Sequence, residues 1–274
     1  MKHSFIILFL LISSKLILAQ TENFAEVNGV KLYYEIHGDG EPLVMLHGFT
    51  DTHVSWLPWV ENLSNEFKVI LVDLRGHGKS TNPTNEFSHE KSAEDIYGLM
   101  NHIGIEEFKA VGFSSGANTL IHMATMDTNR IKSMILIGAT TYFPIEFRNA
   151  LRNITYENVS ENQPEWMNYM RGIHSGGEEQ IRILLNQFKN FAYSYDDMNF
   201  TSPYLSIINC PTLIIHGDRD TNFPVEIPVN AYQSIPQSYL WIIPNFGHSV
   251  PQKGTTLGDL FIENITNFLT GKWN

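Results

Sequence analysis

The sequence is poor in cysteine and in basic side chains. Only Cys210 carries a thiol among the 274 residues, which excludes an intramolecular disulfide and any zinc or iron–sulfur site built from several thiolates. Eighteen basic side chains stand against 29 acidic ones, and a formal net charge of −11 argues against nucleic-acid binding, which requires a basic face. With 43% hydrophobic residues, the chain is an acidic globular protein with a sizeable core.

A membrane-spanning run of apolar residues is also missing, although the first residues resemble a secretory signal peptide. Lys2 and His3 give a positive start, Phe5–Ile12 is apolar, and Ala19 is a small residue suited to cleavage. Polar residues interrupt the apolar run before it reaches the roughly 20 residues that a spanning helix needs. We therefore expect residues 1–19 to be a signal peptide, the protein to be secreted or periplasmic, and no stable membrane insertion.

The remaining sequence alternates short apolar runs with amphipathic stretches, which predicts a mostly parallel sheet flanked by helices, an α/β fold. The runs with the composition of buried strands are Phe24–Val27, Val30–Ile36, Leu43–Leu46, Val69–Val72, Lys109–Gly112, Ser133–Ile137, Thr212–Ile215 and Tyr239–Ile243. The helix candidates are His89–His102, Ser115–Thr125, Gln180–Phe191 and Leu257–Leu269. Asn28-Gly29, between the first two runs, predicts a tight hairpin and therefore an antiparallel start to the sheet.

One region interrupts this alternation. Residues 141–203 contain no strand-like run, and they are rich in aromatic residues and in helical patterns. This predicts a helical cap at residues 141–203, inserted into a core domain formed by residues 20–140 and 204–274. A cap of this size should line a cleft with a few of its aromatic side chains.

A G-x-S-x-G motif is centred on Ser114, directly after an apolar strand and directly before a helix. This context predicts a nucleophile elbow, a sharp turn that presents a serine hydroxyl. The positions two residues before and after the serine crowd such a turn, and Gly112 and Gly116 satisfy the need for small residues there. Ser115 lacks such flanking glycines, so Ser114 is the candidate nucleophile.

A serine hydroxyl needs a positioned base to accept its proton. His248 lies in the loop after the last predicted strand, where open α/β sheets place their active sites. Asp220, shortly after the strand Thr212–Ile215, is the candidate carboxylate that orients the imidazole. Asp218 is its main rival for that role, and Glu146 is a weaker one.

Two backbone N–H groups should hold the developing oxyanion. One is that of Ser115, at the N-terminus of the helix after the elbow, where the helix dipole favours negative charge. The other is that of Phe49, in the loop after Leu43–Leu46, where Gly48 allows a close turn and His47 braces the chain. We expect no metal and no cofactor, because no compact spacing of histidine and acidic residues suits a metal site.

With these motifs in this order, the sequence resembles the α/β-hydrolase superfamily from Phe24 to Leu269. The segments that carry the resemblance are His47–Phe49, Gly112–Gly116, Gly217–Asp220 and Gly247-His248. The resemblance implies an eight-stranded type of sheet, the Ser, Asp, His order of this superfamily, and a lid between the sixth and seventh strands, where residues 141–203 fall.

The resemblance also restricts the chemistry. A serine nucleophile argues against haloalkane dehalogenases and epoxide hydrolases of this fold, which use aspartate, and the loop after Leu46 lacks the Gly-Gly-Pro-Gly of proline iminopeptidases. A serine hydrolase acting on a small-molecule ester or lactone is expected, with carbon–carbon bond hydrolysis and non-catalytic binding of a hydrophobic ligand as alternatives. The sequence does not indicate an oligomeric state. Besides Phe49, the expected walls of the substrate pocket are Trp56, Phe113, Trp166 and Val250.

Overall fold

The computed structural model describes residues 23–273 of the chain. The signal peptide expected at residues 1–19 lies outside these residues and stays a prediction. Within residues 23–273, no helix combines the length and the apolar character that crossing a membrane requires.

A single eight-stranded sheet confirms the predicted α/β architecture. Its strands, all eight of them predicted, are β1 (Asn23–Val27), β2 (Val30–His37), β3 (Glu41–Leu46), β4 (Phe67–Val72), β5 (Phe108–Phe113), β6 (Ile131–Ile137), β7 (Thr212–Gly217) and β8 (Ser238–Ile243). The spatial order is β1-β2-β4-β3-β5-β6-β7-β8, with β1 and β2 antiparallel to their neighbours and β3 to β8 parallel. The hairpin turn has positive φ at both Asn28 (48°) and Gly29 (78°), as the dipeptide predicts.

Helices connect these strands and cover the sheet. They are α1 (Leu57–Leu63), α2 (His89–His102), α3 (Ser115–Met126), α4 (Ile145–Leu151), α5 (Tyr156–Asn162), α6 (Pro164–Ile173), α7 (Gly177–Asn190), α8 (Ser202–Leu205), α9 (Glu226–Ser234) and α10 (Thr256–Leu269). A short 3₁₀ turn at His53–Trp56 precedes α1. The four helices predicted from periodicity are all present, with ends that differ by no more than a few residues.

The core lies on both faces of the sheet. Along β3, Val44 and Leu46 belong to the apolar cluster that contains residues of α2 and α3, whereas Leu43 and Met45 belong to the cluster with α1 and α10. Successive side chains of a strand point to opposite faces, so a strand covered on both faces must be apolar throughout. This is why the central strands appear in the sequence as unbroken apolar runs.

Residues 141–203, which we call the cap, contain α4 to α7 and the start of α8, and they lie between β6 and β7. The helices α5, α6 and α7 share a small apolar cluster of their own, formed by Val159, Met167, Met170, Ile181 and Leu185. The helical content agrees with the sequence analysis. The exact limits of the cap as a separate unit stay a prediction.

A buried histidine at the end of α6 attaches the cap to the core. His174 accepts a hydrogen bond from the backbone N–H of Gly78 at Nδ1 (2.9 Å), and its Nε2–H donates to the carbonyl of Thr50 (3.1 Å). Burial lowers the pKa of His174 to about 4, because the imidazolium would lose its hydration. The neutral ring therefore holds the cap against two loops of the core.

A second buried histidine is held in the charged form. His53 contacts Asp73 Oδ1 through Nδ1 (2.7 Å) and Glu35 Oε1 through Nε2 (3.3 Å). Burial acts to lower the pKa of His53, but the hydrogen bonds with the two carboxylates outweigh it and raise the pKa to about 9. The pKa of Glu35 is correspondingly lowered to about 2, with hydrogen bonds from His53 and neighbouring groups outweighing its burial. This ion cluster connects β2, the residue that follows β4 and the 3₁₀ turn.

Replacing His53 by Gln should lower stability in a way that depends on pH. The folded pKa lies above the unfolded value of about 6.5, so the stabilisation is full below pH 6.5 and is lost as pH rises through 9. We expect His53→Gln to cost about 3 kcal/mol of unfolding free energy at pH 6, and this difference to shrink above pH 9. Urea unfolding of both proteins across this range measures it, and a difference independent of pH would contradict the assignment.

His174→Gln should show the opposite pH dependence. The folded pKa of about 4 lies below the unfolded value, so the unfolded chain binds the proton more readily and wild-type stability falls between pH 6.5 and 4. This one histidine accounts for a loss of about 3 kcal/mol over that range, which the variant should not show. Thermal unfolding at stepped pH tests this, with His53→Gln as a control that keeps the acid-induced loss. An equally steep loss in His174→Gln would argue against a neutral His174 in the folded protein.

Candidate active site

Ser114 lies between β5 and α3 in a strained backbone conformation, with φ 50° and ψ −116°. The turn is closely packed: a Cβ at Gly112 would lie 2.5 Å from the backbone nitrogen of Ala117, and one at Gly116 would lie 2.3 Å from the carbonyl oxygen of Leu46. No side chain fits at either glycine. This confirms the steric reason for the G-x-S-x-G spacing.

The structure brings together the three side chains that the sequence analysis selected. Ser114 Oγ lies 2.9 Å from His248 Nε2, and His248 Nδ1 lies 2.6 Å from Asp220 Oδ2. An ionised carboxylate can only accept, so Nδ1 carries the proton and Nε2 of the neutral ring accepts the hydrogen bond from the serine hydroxyl. Ser114 is therefore paired with a base whose tautomer is fixed from the other side.

The side chain of Asp220 is buried, and both of its oxygens accept hydrogen bonds. Its Oδ1 accepts from the backbone N–H groups of Asn222 (2.8 Å) and Phe223 (3.0 Å), while Oδ2 accepts from His248. Burial acts to raise the pKa of Asp220, but the hydrogen bond and charge of His248, together with the backbone donors, hold it below its ordinary value. The carboxylate is thus ionised and fixed in direction.

The two rival carboxylates lie elsewhere. Asp218 follows β7 directly, and its Oδ1 lies 3.4 Å from the backbone nitrogen of Phe246. Glu146 is exposed in the first turn of α4. The position of Asp220, two residues further along the loop than Asp218, lets its side chain turn back under His248.

The two backbone N–H groups predicted for the oxyanion hole belong to residues that line one cavity with Ser114. As the first residue of α3, Ser115 has no acceptor for its N–H within the helix. Neither this N–H nor that of Phe49 is bonded to a group of residues 23–273. A Cβ at Gly48 would lie 3.0 Å from the ring of Phe113 and 3.5 Å from Ser114 Cβ, so the loop passes directly beside the serine.

His47 braces that loop, as expected. The backbone N–H of Leu74 donates to His47 Nε2 (3.0 Å), which leaves the proton on Nδ1 to donate to the carbonyl of Gly48 (2.7 Å). Burial lowers the pKa of His47, so the ring stays neutral and keeps both bonds. Its role is to position the loop that carries Phe49.

A cavity of about 440 Å³ opens above Ser114 and His248, between the core and the cap. It suits a small molecule in size and in its largely apolar lining. Its aromatic lining residues are Phe49, Phe113, Phe143, Phe147, Trp166, Tyr169, Phe188, Phe191 and Phe223. The cap contributes six of these nine side chains, which agrees with the expectation that its aromatic residues line a cleft.

Of the residues expected to form the pocket walls, Phe49, Phe113 and Trp166 line this cavity, whereas Trp56 and Val250 do not. Trp56 is only 1% exposed and packs in the core cluster that contains residues of the sheet, α1 and α10. Val250 packs against the same cluster. Proximity in sequence to a site loop does not by itself bring a side chain into the cavity.

The sequence analysis missed residues that shape the site. Gly138 follows β6 with φ 58°, and a Cβ there would lie 3.0 Å from His248 Cε1, so the absent side chain makes room for the imidazole. Asn118, on α3, lines the cavity while being only 2% exposed. Two signals in the sequence could have indicated these residues: a glycine directly after a buried strand, and a polar residue inside an apolar helix.

Taken together, the arrangement offers a nucleophile, a proton acceptor oriented by a carboxylate, and free backbone donors beside an aromatic cavity. These are the groups that acyl transfer requires. Within residues 23–273, no three histidine, cysteine or acidic side chains lie together as a set that could hold a metal ion.

Comparison with known sequences agrees with this geometry. The family model described as alpha/beta hydrolase fold matches residues 41–172. The chain is 22% identical to 2-hydroxy-6-oxo-6-(2'-aminophenyl)hexa-2,4-dienoic acid hydrolase of Metapseudomonas resinovorans, over 86% of this chain and 88% of that protein. It is 25% identical to pimeloyl-[acyl-carrier protein] methyl ester esterase of Nitrosomonas europaea, over 80% and 92% of the two chains.

Comparison with solved structures gives the same fold. The enol-lactonase from Burkholderia xenovorans LB400 superimposes with a TM-score of 0.70 at 22% identity, covering 90% of this chain and all of that one. The eight-stranded sheet, the serine turn after β5 and the matched family model lead to one conclusion. The chain belongs to the α/β-hydrolase superfamily.

Proposed function

We propose that the protein is a serine hydrolase that cleaves carboxylic esters or lactones through an acyl-enzyme intermediate. One observation carries the proposal: Ser114 Oγ lies 2.9 Å from His248 Nε2, with Asp220 holding the other ring nitrogen, at the floor of an aromatic cavity. A hydrogen-bonded series of this kind supplies the activated nucleophile that ester cleavage needs.

In the acylation half of the proposed reaction, Ser114 Oγ attacks the acyl carbon and its proton passes to His248 Nε2. Asp220 stays ionised and stabilises the imidazolium. The N–H groups of Phe49 and Ser115 donate to the developing oxyanion. When the tetrahedral intermediate collapses, the bond to the alcohol oxygen breaks and His248 protonates that oxygen, which leaves the acyl group on Ser114.

Deacylation repeats these steps with water. A water molecule gives a proton to His248 Nε2 and attacks the acyl carbon, with the oxyanion again held by Phe49 and Ser115. The bond to Ser114 Oγ then breaks, and the proton returns from His248 to the serine. The carboxylic acid leaves and the resting state is restored.

Esters and lactones come first as substrates because the site needs no more than a carbonyl carbon, an oxyanion and a protonated leaving oxygen. Two similar proteins are named as a methyl ester esterase and an enol-lactonase. A third, named as a hydrolase of a 2-hydroxy-6-oxo-dienoic acid, supports carbon–carbon bond hydrolysis as the second candidate. Parallel assays with esters and vinylogous diketones separate the two.

Ser114→Ala should abolish ester hydrolysis and covalent labelling. We expect kcat on short p-nitrophenyl esters to fall on the order of 10³-fold or more, because the attacking oxygen is gone. Fluorophosphonate treatment followed by mass spectrometry should place the label on Ser114 of the wild-type protein. Ser206→Ala, which removes an exposed hydroxyl away from the cavity, is the control and should label fully. Labelling or full turnover in Ser114→Ala would contradict the proposal.

Asp220→Asn and Asp218→Asn form a matched pair. The first replaces a carboxylate that fixes the His248 tautomer by an amide that does not, so kcat should fall roughly 10³- to 10⁴-fold. The second makes the same chemical change two residues away and should leave kcat/KM within about twofold, since Asp218 has no contact with His248 in residues 23–273. A larger loss in Asp218→Asn than in Asp220→Asn would reverse the assignment of the carboxylate.

A further inference from the structure

Two buried polar side chains of α3, those of Ser115 and Asn118, line the cavity beside Ser114. They are 4% and 2% exposed. Residues three apart in a helix share a face, so the two side chains lie one turn apart on the same wall. Much of the surrounding lining is aromatic, and a buried polar pair in such a wall calls for hydrogen-bonding partners.

The hydroxyl of Ser115 has a fixed direction. Asp197 accepts from the backbone N–H of His89 (2.8 Å) and lies 2.6 Å from His89 Nδ1, while Ser115 Oγ lies 3.0 Å from His89 Nε2. The carboxylate can only accept, so in the neutral form of the His89 ring the proton is on Nδ1 and Nε2 accepts the Ser115 O–H. With its proton directed to His89, Ser115 Oγ keeps its remaining lone pair available as an acceptor in the wall of the cavity that Ser115 lines.

The orientation of the Asn118 amide is also fixed, and it leaves a hydrogen-bond donor where Ser115 offers an acceptor. Its Oδ1 accepts from the backbone N–H of Thr140 (3.0 Å), which identifies the oxygen and leaves Nδ2 on the other branch. Nδ2 has no acceptor within residues 23–273. Asn118 therefore presents an unpaired donor beside the acceptor of Ser115.

We propose that Ser115 and Asn118 form a subsite for a hydroxyl group on the acyl part of the substrate. A hydroxyl donates to Ser115 Oγ and accepts from Asn118 Nδ2, which satisfies both side chains at once. A carbonyl can only accept and would leave Ser115 Oγ facing another acceptor, and a methylene satisfies neither group. The backbone N–H of Ser115 is also a proposed donor to the scissile carbonyl, which puts the subsite within a few bonds of the acyl carbon.

This inference rests on the proposed function and narrows its substrate class to esters or lactones of hydroxy acids. The test compares kcat/KM, measured by pH-stat, for methyl hexanoate, its 2-, 3- and 6-hydroxy derivatives and methyl 3-oxohexanoate. At least one hydroxy ester should exceed methyl hexanoate by about tenfold or more. Equal rates for all, or a preference for the oxo ester alone, would overturn the subsite while leaving ester hydrolysis intact. No turnover of any ester, with Ser114 unlabelled, would overturn the proposed function and the subsite with it.

Variants of Ser115 and Asn118 test whether these two side chains cause the preference for a hydroxy ester. Ser115→Ala removes the acceptor, and Asn118→Asp removes the Nδ2 donor while keeping an oxygen for Thr140. Both should bring the ratio of hydroxy ester to methyl hexanoate towards one. Thr125→Val is the matched control, because it deletes an α3 hydroxyl that bonds the carbonyl of Ile121 outside the cavity, and it should keep the ratio. Thermal unfolding of each variant verifies that it is folded, and an unchanged ratio in both folded variants would refute the subsite.

His89→Leu tests the direction of the Ser115 hydroxyl. Without the Nε2 acceptor, the Ser115 O–H is free to donate into the cavity, so kcat/KM for methyl 3-oxohexanoate should rise relative to methyl 3-hydroxyhexanoate. A merely structural role for His89 would lower both rates in proportion. A constant ratio would therefore overturn the donor and acceptor assignment on which the hydroxyl preference depends.

Discussion

The close approach of the turn after β5 to the end of β3 is the constraint on which the site depends. Gly116 packs so tightly against the carbonyl of Leu46 that a Cβ there would lie 2.3 Å away. This contact holds Ser114 at φ 50°, a conformation that costs on the order of 1–3 kcal/mol and persists only where the surroundings enforce it. The serine is thereby lifted above the ends of the parallel strands, where the loops carrying Asp220 and His248 arrive.

The free-energy cost of burying a charge is met differently by two buried histidines, His174 and His53. His174 has neutral hydrogen-bonding partners, the backbone of Gly78 and Thr50, so burial keeps it uncharged. His53 is placed between two carboxylates and stays charged. The first holds the cap over the cavity and the second holds the strands beneath it, so acid and alkali are expected to weaken different parts of the protein. Burial disfavours the charged form of both histidines, and the hydrogen-bonding partners of each ring decide whether the charged form persists.

The features that could be predicted from the sequence, the strands and the serine turn, are those that depend on burial and on local sterics. Strands covered on both faces leave apolar runs, and the spacing of Gly112 and Gly116 identifies Ser114 without reference to the rest of the fold. Trp56 was misplaced because its direction depends on packing between sheet and helix. The contact of His89 with Asp197, 108 residues away, was missed because nothing local signals a pairing across the junction of core and cap.

Two consecutive serines, Ser114 and Ser115, each bond an imidazole whose other nitrogen is held by a carboxylate, yet the structure gives them different chemistry. A catalytic base must exchange its proton with leaving groups and water. The side chain of His248 is 14% exposed and faces the cavity, whereas that of His89 is fully buried, so a proton taken from Ser115 would have no route onward. The backbone adds to this, since Ser115 is helical and lacks the strained turn that presents Ser114. In the mechanism we propose, the same trio of groups therefore activates the Ser114 hydroxyl and only orients that of Ser115, and this orientation is the basis of the proposed hydroxyl subsite.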